Sequence, residues 1–269
     1  PLKPYVDEIM RGQGTSESLL RPGQDPHHFA LAPTQAQALD AADVLIVPDL
    51  GMSPFLKQRV ARQKKLRVIE LSKLAGAAPL PYAAENPWLA ALKQKNAPKA
   101  NAHTHDADED EEEHAHEHGH TSDAPLTDPH LWLDPERMAA IAEPLAAALA
   151  EATPEARPAL TANAQTLARH LREEVLPAMR TMLSPPARTS NALNLSETPF
   201  LTYHAAYQYF LGRFGLAHYG ELTTRPEEVM GAATLRGLLQ RADTQRVRCL
   251  IGEQESTLMQ RVASATGAK

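Results

Sequence analysis

Four short apolar runs, each bounded by residues that break regular structure, constrain the fold of this chain more than any other feature. They are VLIVP (44–48), LRVIEL (66–71), PFLTY (199–203) and VRCLIG (247–252). Short, mostly apolar runs of this kind are typical of parallel strands that are buried on both faces. Helical patterns separate the runs, as in βαβ units. The sequence therefore predicts an α/β fold with mostly parallel sheets flanked by helices.

A helical pattern of nearly thirty residues lies between the second and third runs. It begins at Thr153 and extends to about Met182, with Leu160 and Leu167 among the apolar residues on one side. At about 1.5 Å per residue such a helix is about 40 Å long, enough to join two compact units. The chain of 269 residues also exceeds the length of a typical single domain. We therefore expect two α/β lobes joined by one long rigid helix.

The predicted boundaries follow from this helix. Residues 1–152 form the N-terminal α/β lobe, 153–183 the linking helix and 184–269 the C-terminal α/β lobe. Within the first lobe, Asp134 and Pro135 predict the N-cap and first residue of a helix, after a strand-like LWL. The abrupt start and end lead us to expect a trimmed chain, with an incomplete C-terminal lobe and no signal peptide in this chain.

Charge and composition exclude several classes of protein. The net charge of −6 and the absence of a long apolar run argue against a nucleic-acid partner and a membrane span. Cys249 is the single cysteine, so an internal disulfide framework is excluded. HExxH, Gly-rich phosphate-loop, GxSxG and CxxC motifs are missing from the sequence. The net negative charge is local, because residues 101–123 contain nine acidic residues and no lysine or arginine, whereas the rest of the chain has 24 acidic and 27 basic residues.

The acidic segment is also rich in histidine. We expect a disordered loop over about residues 97–125, since nothing there can bury apolar surface. A solvated charge run is the alternative, but the alternating HxH spacing favours auxiliary metal capture, with modest affinity because a flexible segment must become ordered around the ion. The candidate ligands in this loop are His103, His105, His114, His116, His118 and His120.

Three isolated histidines lie at junctions between predicted elements. His27 is in the loop after the first helix, His130 follows Asp-Pro, and His204 follows the PFLTY run. Each alone is compatible with a capping or core histidine. Together, two from one lobe and one from the other, they predict a buried site of three imidazoles in the cleft, a set that suits tetrahedral zinc.

The other candidates are weaker. We expect His28, His170 and His218 to be structural or surface residues. Glu253 and Glu255 follow the VRCLIG run and could flank the same crevice, although two surface glutamates are the simpler interpretation.

Four segments together resemble a known family. They are PGQDPHHFAL, DPHLWLDPERM, FLTYHAAYQYFLGRFGL and LTTRPEEVMGAATL, with the His-rich insertion between the first two. In this order they resemble the metal-binding (cluster A-I) solute-binding proteins of ABC transporters, and most of all the periplasmic zinc-uptake members. The resemblance implies two α/β lobes, a rigid linking helix and a metal in the cleft, with His27, His130 and His204 as ligands.

The fourth ligand stays open. Some zinc-binding members have a Glu before the first histidine, where this chain has Pro26, and others supply an Asp from a late loop beyond Lys269. An absent C-terminal Asp, Glu253 and water are therefore the alternatives. Manganese-binding relatives tend to have a carboxylate in place of the third histidine, so His204 favours zinc.

The predicted function is that of a periplasmic receptor that captures Zn²⁺ and delivers it to an inner-membrane ABC permease. Zinc is then the transported ligand rather than a catalytic cofactor, and we expect a monomer without enzymatic activity. Two alternatives come from other classes. Three histidines with an open fourth position also suit a zinc hydrolase, although no convincing general base accompanies the motifs. A zinc buffer or storage protein would instead have many comparable sites.

Overall fold

The computed structural model describes residues 1–22, 24, 26–27, 29–82, 127–183, 194–224, 230–244, 246–253 and 256–269. The helices are α1 (Lys3–Ile9), α2 (Pro33–Ala41), α3 (Pro54–Val60), α4 (Pro135–Leu149), α5 (Arg157–His170), α6 (Leu176–Leu183), α7 (Gln208–Phe214), α8 (Ala232–Thr244) and α9 (Thr257–Thr266). The strands are β1 (Val44–Val47), β2 (Arg67–Glu70), β3 (Phe200–His204), β4 (His218–Thr223) and β5 (Cys249–Ile251).

The first lobe is built on a parallel pair, β1 and β2, in register from Val44–Arg67 to Val47–Glu70. On one side, Leu45 and Val47 pack against α2 and α3. On the other side, Ile69 belongs to a larger core that includes residues of α1, α4 and α5. The pair is therefore covered by helices on both faces, as apolar parallel strands require.

The second lobe is built on a parallel sheet of three strands in the order β4-β3-β5. The central strand β3 is buried along nearly its whole length. Leu201 of β3 and Leu222 of β4 contribute to a core completed by α8 and α9, with Leu238 and Val262 fully buried. The carboxyl end of β3 thus lies at the middle of one sheet edge, where the connections of α/β proteins form binding crevices.

The long helical segment begins with a 3₁₀ turn (Pro154–Ala156) and continues through α5, a π-helical stretch (Leu171–Val175) and α6. Its apolar side, which includes Leu160, Leu167 and Leu171, packs into the core of the first lobe beside α4. It therefore joins the two sheets while resting on the first lobe. The proposed boundary at residue 153 stays a prediction.

The four predicted strands are all present, and two sequence predictions need correction. LWL is a 3₁₀ turn (Leu131–Leu133), because Asp134 caps α4 and the chain has already turned, with the amide of Leu133 bonded to the carbonyl of His130. His204 is the last residue of β3 rather than the residue after it. β4 was not predicted as a strand, since its sequence HYGELT contains no apolar run.

The α/β fold class is confirmed. In the described ranges, no helix combines the length and the apolar character that crossing a membrane requires. The predicted N-cap is also present, because the Asp134 side chain accepts a hydrogen bond from the backbone N–H of Glu136 at 3.0 Å.

Candidate metal centre

His27 lies in the loop between α1 and α2 and is half-buried. A hydrogen bond from Ser53, a buried residue just before α3, stabilises this loop. The Ser53 hydroxyl donates a hydrogen bond of 3.1 Å to the carbonyl of Pro26. This contact fixes the backbone next to His27, and the ring of Pro26 restricts it further.

His130 is buried and carries an orienting carboxylate two residues before it. Asp128 has no exposed surface (0%), and its Oδ1 accepts hydrogen bonds from the backbone N–H of His130 at 2.9 Å and from Nδ1 at 2.7 Å. Because a carboxylate only accepts, the proton of the ring lies on Nδ1. The Nε2 lone pair of His130 is therefore available to a metal ion.

His204 extends from the carboxyl end of β3 and is only 2% exposed. Oε2 of Glu253 lies 3.3 Å from its Nδ1, but the direction is poor for a hydrogen bond. Within the described part of the chain, neither ring nitrogen of His204 makes a hydrogen bond. Leaving a buried polar group without a partner costs about 1 to 3 kcal/mol, so the ring is placed for a ligand rather than for packing.

The three imidazoles meet at one point. Their ring centroids are 5.2 Å (His27–His130), 5.4 Å (His27–His204) and 5.3 Å (His130–His204) apart, nearly an equilateral triangle. One ligand nitrogen from each ring lies within 4.8 Å of the others. The Nε2 atoms of His27 and His130 are 3.2 Å apart, close to the about 3.3 Å between nitrogens that bind tetrahedral zinc. A small closure of the third ring would complete this geometry.

Glu253 lies beside the centre, although its side chain is 50% exposed. Glu253 is therefore a surface residue, as expected, and the loop after β5 also brings its carboxylate against His204, where it flanks the crevice. It is not one of the three converging ligands. Burial, the largest single effect, raises the pKa of Glu253, but His204, the backbone and His130 together lower it, so the net shift is downward and the carboxylate stays charged at neutral pH.

Tyr207 belongs to the same wall of the site. Burial, followed by the charge of Glu253 and a hydrogen bond to it, raises the pKa of this phenol well above its ordinary value. Its hydroxyl therefore stays neutral at physiological pH. The centre thus has one acidic side, formed by Glu253, next to imidazoles that bind metal only when they are unprotonated.

The remaining histidines are elsewhere. His170 is exposed on α5 and lies 3.2 Å from Glu174, and His218 on β4 contacts the Thr202 hydroxyl at 3.1 Å. His28, Glu255 and the six loop histidines lie outside the described residues. The sequence interpretation missed two supporting residues, Ser53 and Asp128. Asp128 had a signal, since a carboxylate two residues before a ligand histidine can reach its Nδ1.

A fold of two α/β lobes, with imidazoles from both lobes converging between them, defines a metal-binding solute-binding protein. The chain matches over residues 1–269 the profile of the family described as ZnuA, zinc-uptake complex component A, periplasmic. It belongs to that family.

Two curated relatives and a solved structure agree with this assignment. The high-affinity zinc uptake system protein ZnuA of Brucella abortus (strain 2308) is 27% identical over 275 residues, covering 100% of this chain and 79% of the relative. The protein of the same name from Haemophilus ducreyi is 29% identical over 259 residues, covering 96% and 76%. A crystal structure of ZnuA has a TM-score of 0.70 at 20% identity, covering 100% and 85%, which supports the fold.

Family membership confirms the resemblance found in the sequence. The chain is a solute-binding component of zinc uptake, and zinc is the ion that its family transports. The family description also places it in the periplasm as part of an uptake complex.

Proposed function

We propose that this chain captures one Zn²⁺ ion between its two lobes through His27, His130 and His204, and delivers it to an inner-membrane ABC permease. The observation that carries the proposal is the convergence of three imidazoles, one of which is fully buried and has no hydrogen-bond partner among the described residues. Neutral imidazoles are ligands that zinc prefers. The site needs no chemistry beyond binding and release.

The supporting groups suggest how the ligands are kept ready. Ser53 fixes the loop of His27, Asp128 fixes the ring of His130, and Glu253 supplies negative charge next to His204. A histidine that is already oriented loses less freedom on binding, which strengthens the complex. We propose that water occupies the fourth position and that Glu253 acts through His204 rather than by direct coordination.

Acid weakens such a site. An imidazole has to lose its proton before it can coordinate zinc. The zinc affinity is therefore expected to fall as the solution becomes more acidic. This pH dependence follows from protonation of the zinc ligands and is a property of binding. We propose that the chain has no catalytic activity.

We propose a separate role for each part of the chain. Residues 1–152 and 184–269 act as the two lobes, residues 153–183 link them, and the monomer presents the loaded cleft to the permease. The six histidines between His103 and His120 serve as an auxiliary collector of weakly held zinc. This role differs from storage, because a storage protein would hold many ions with comparable affinity.

The experiment combines metal content with affinity. The zinc-loaded protein is analysed by mass spectrometry for bound metal, and its dissociation constant is measured against a chromophoric chelator. We expect one tight ion plus weaker ones. Removing any one of the three ligands is expected to raise the dissociation constant of the tight site. The increase should exceed the about 10- to 100-fold that is typical when a hydrogen-bonding partner of a metal ligand is lost. The variants are His27→Ala, His130→Ala and His204→Ala. His170→Ala, a change of an exposed histidine, serves as the matched control.

Two results would contradict the proposal. If all three variants retained the tight ion, the ligands would have to be other residues. If the zinc-loaded protein hydrolysed ester or peptide substrates, and Glu253→Gln abolished that activity, a zinc hydrolase would replace the binding protein.

A further inference from the structure

Gln208 connects the two lobes directly behind the metal centre. It is the first residue of α7, only four positions after His204, and belongs to the second lobe. Its amide Nε2 donates hydrogen bonds to the Pro81 carbonyl at 2.8 Å and to Oδ2 of Asp128 at 2.5 Å. Both acceptors belong to first-lobe segments. We call this set of contacts the Gln208 bridge.

The neighbouring residue reinforces the bridge. The Tyr209 hydroxyl donates to the carbonyl of Asp128 at 2.8 Å and accepts from the backbone N–H of Leu80 at 2.9 Å. Burial raises the pKa of Tyr209 to about 12, so the phenol stays protonated. At the other end of α7, Arg213 binds Asp134 with two hydrogen bonds of 2.8 and 2.9 Å. The helix is therefore fixed to the first lobe along its whole length.

The two oxygens of Asp128 have different partners. Oδ1 accepts both hydrogen bonds from His130, whereas Oδ2 accepts the bond from Gln208. A buried carboxylate needs donors on both oxygens to remain charged and to keep one rotamer. Without Gln208, Oδ2 would lose the donor that the described residues give it, in a fully buried position, and the carboxylate could turn away from the His130 ring.

We infer that Gln208 is a positioning residue for zinc binding: through Asp128, the second lobe orients a ligand of the first lobe. This inference rests on the proposed function, since it assigns Gln208 a part in the same site. His204 and Gln208, which acts on His130 through Asp128, lie on one short segment, β3 to α7. The first-lobe ligand is therefore correctly oriented only while the second lobe is docked, which couples lobe arrangement to zinc affinity.

The first test removes the donor and keeps the shape. Gln208→Met has nearly the same volume but no N–H groups, and we expect it to weaken zinc binding about tenfold, the lower end of the range for groups that support metal ligands. Gln208→Glu places a second carboxylate against Asp128 and is expected to weaken binding more. Gln165→Met is the matched control, because within the described residues this exposed glutamine hydrogen-bonds to Glu143 between α4 and α5 and not to the metal centre.

If the Gln208 bridge were only a structural contact, its loss would lower the stability of the protein without changing which ring nitrogen of His130 carries the proton. The ¹⁵N shifts of His130 in the zinc-free protein separate the two roles, since they report which ring nitrogen carries the proton. We expect the Nδ1–H tautomer to dominate in the wild type and in Gln165→Met, and a mixture of tautomers in Gln208→Met. Unchanged ¹⁵N shifts in Gln208→Met would overturn the inference, whatever its melting temperature.

A double-mutant cycle tests the route through Asp128. In an Asp128→Asn background, Gln208→Met is expected to weaken zinc binding less than about twofold, or to strengthen it by removing the donor that meets the asparagine nitrogen, because residues acting in one network are not additive. A full tenfold effect in that background would show that Gln208 acts independently of Asp128 and would refute the inference. If the wild type itself bound no zinc tightly, the proposed function would fail instead, so the two failures are distinguishable.

Discussion

Asp128→Asn is the most informative single change at this centre. It removes one negative charge and keeps the size and shape of the side chain. Asp128 is completely buried and accepts from His130 through both the backbone N–H and Nδ1. Its other oxygen accepts from Gln208. An asparagine can satisfy only one of these directions, because its nitrogen is a donor that meets another donor.

The size of the effect follows from these contacts. The bond between the carboxylate and His130 is short, at 2.7 Å, and charge-assisted, which makes the ring a better metal ligand. Losing such a partner costs about 10- to 100-fold in metal affinity. This corresponds to about 1.4 to 2.8 kcal/mol of binding free energy. The mismatch with Gln208 places Asp128→Asn toward the upper end.

The assay is a chelator competition at pH 7.5, carried out on the wild type, Asp128→Asn and Asp43→Asn. Asp43 lies at the amino end of β1, the end away from the carboxyl edge of that strand, so its variant controls for the loss of a negative charge. Circular dichroism of the zinc-free proteins shows whether each variant is folded. A folded Asp128→Asn variant whose dissociation constant lies within about threefold of the wild type would refute the reasoning from hydrogen-bonded metal ligands.

Two further predictions concern stability. Asp134→Ala removes the cap of α4 and leaves the half-buried Arg213 without its carboxylate. We therefore expect the free energy of unfolding, measured in urea, to fall by about 3 kcal/mol. A decrease of less than about 1 kcal/mol would contradict this prediction. Burial lowers the pKa of His218, so as the pH falls below about 6.5 the unfolded chain binds this proton before the folded chain does, and stability decreases. Urea titrations from pH 7 to 5 are expected to show a steeper decrease for the wild type than for His218→Gln, and equal slopes would count against the assignment.

The sequence was most informative where one residue type dominated a short segment. The apolar runs predicted β1, β2, β3 and β5, because a parallel strand covered on both faces has to be apolar throughout. β4 gave no such signal. It lies at one edge of its sheet, and HYGELT pairs with β3 through its backbone, which any sequence can supply.

The LWL turn illustrates a different limit. Three apolar residues are compatible with a strand, but none of the five described strands pairs with them, and Asp134 already caps the following helix. The local backbone bonds therefore settle the conformation as a 3₁₀ turn. Short apolar runs do not distinguish these outcomes, because periodicity needs more residues to appear.

By itself, the sequence determined the residue types: three isolated histidines, the capped helix and the strands that carry or flank them. Only the tertiary structure decided that rings 103 and 74 positions apart along the chain lie about 5 Å from one another, and that Asp128, Ser53, Gln208 and Glu253 support them. The physical reason is the range of the forces involved. Apolar patterning and capping act between close neighbours in sequence, whereas a metal centre depends on distances of a few ångströms between segments that meet only when both lobes have packed.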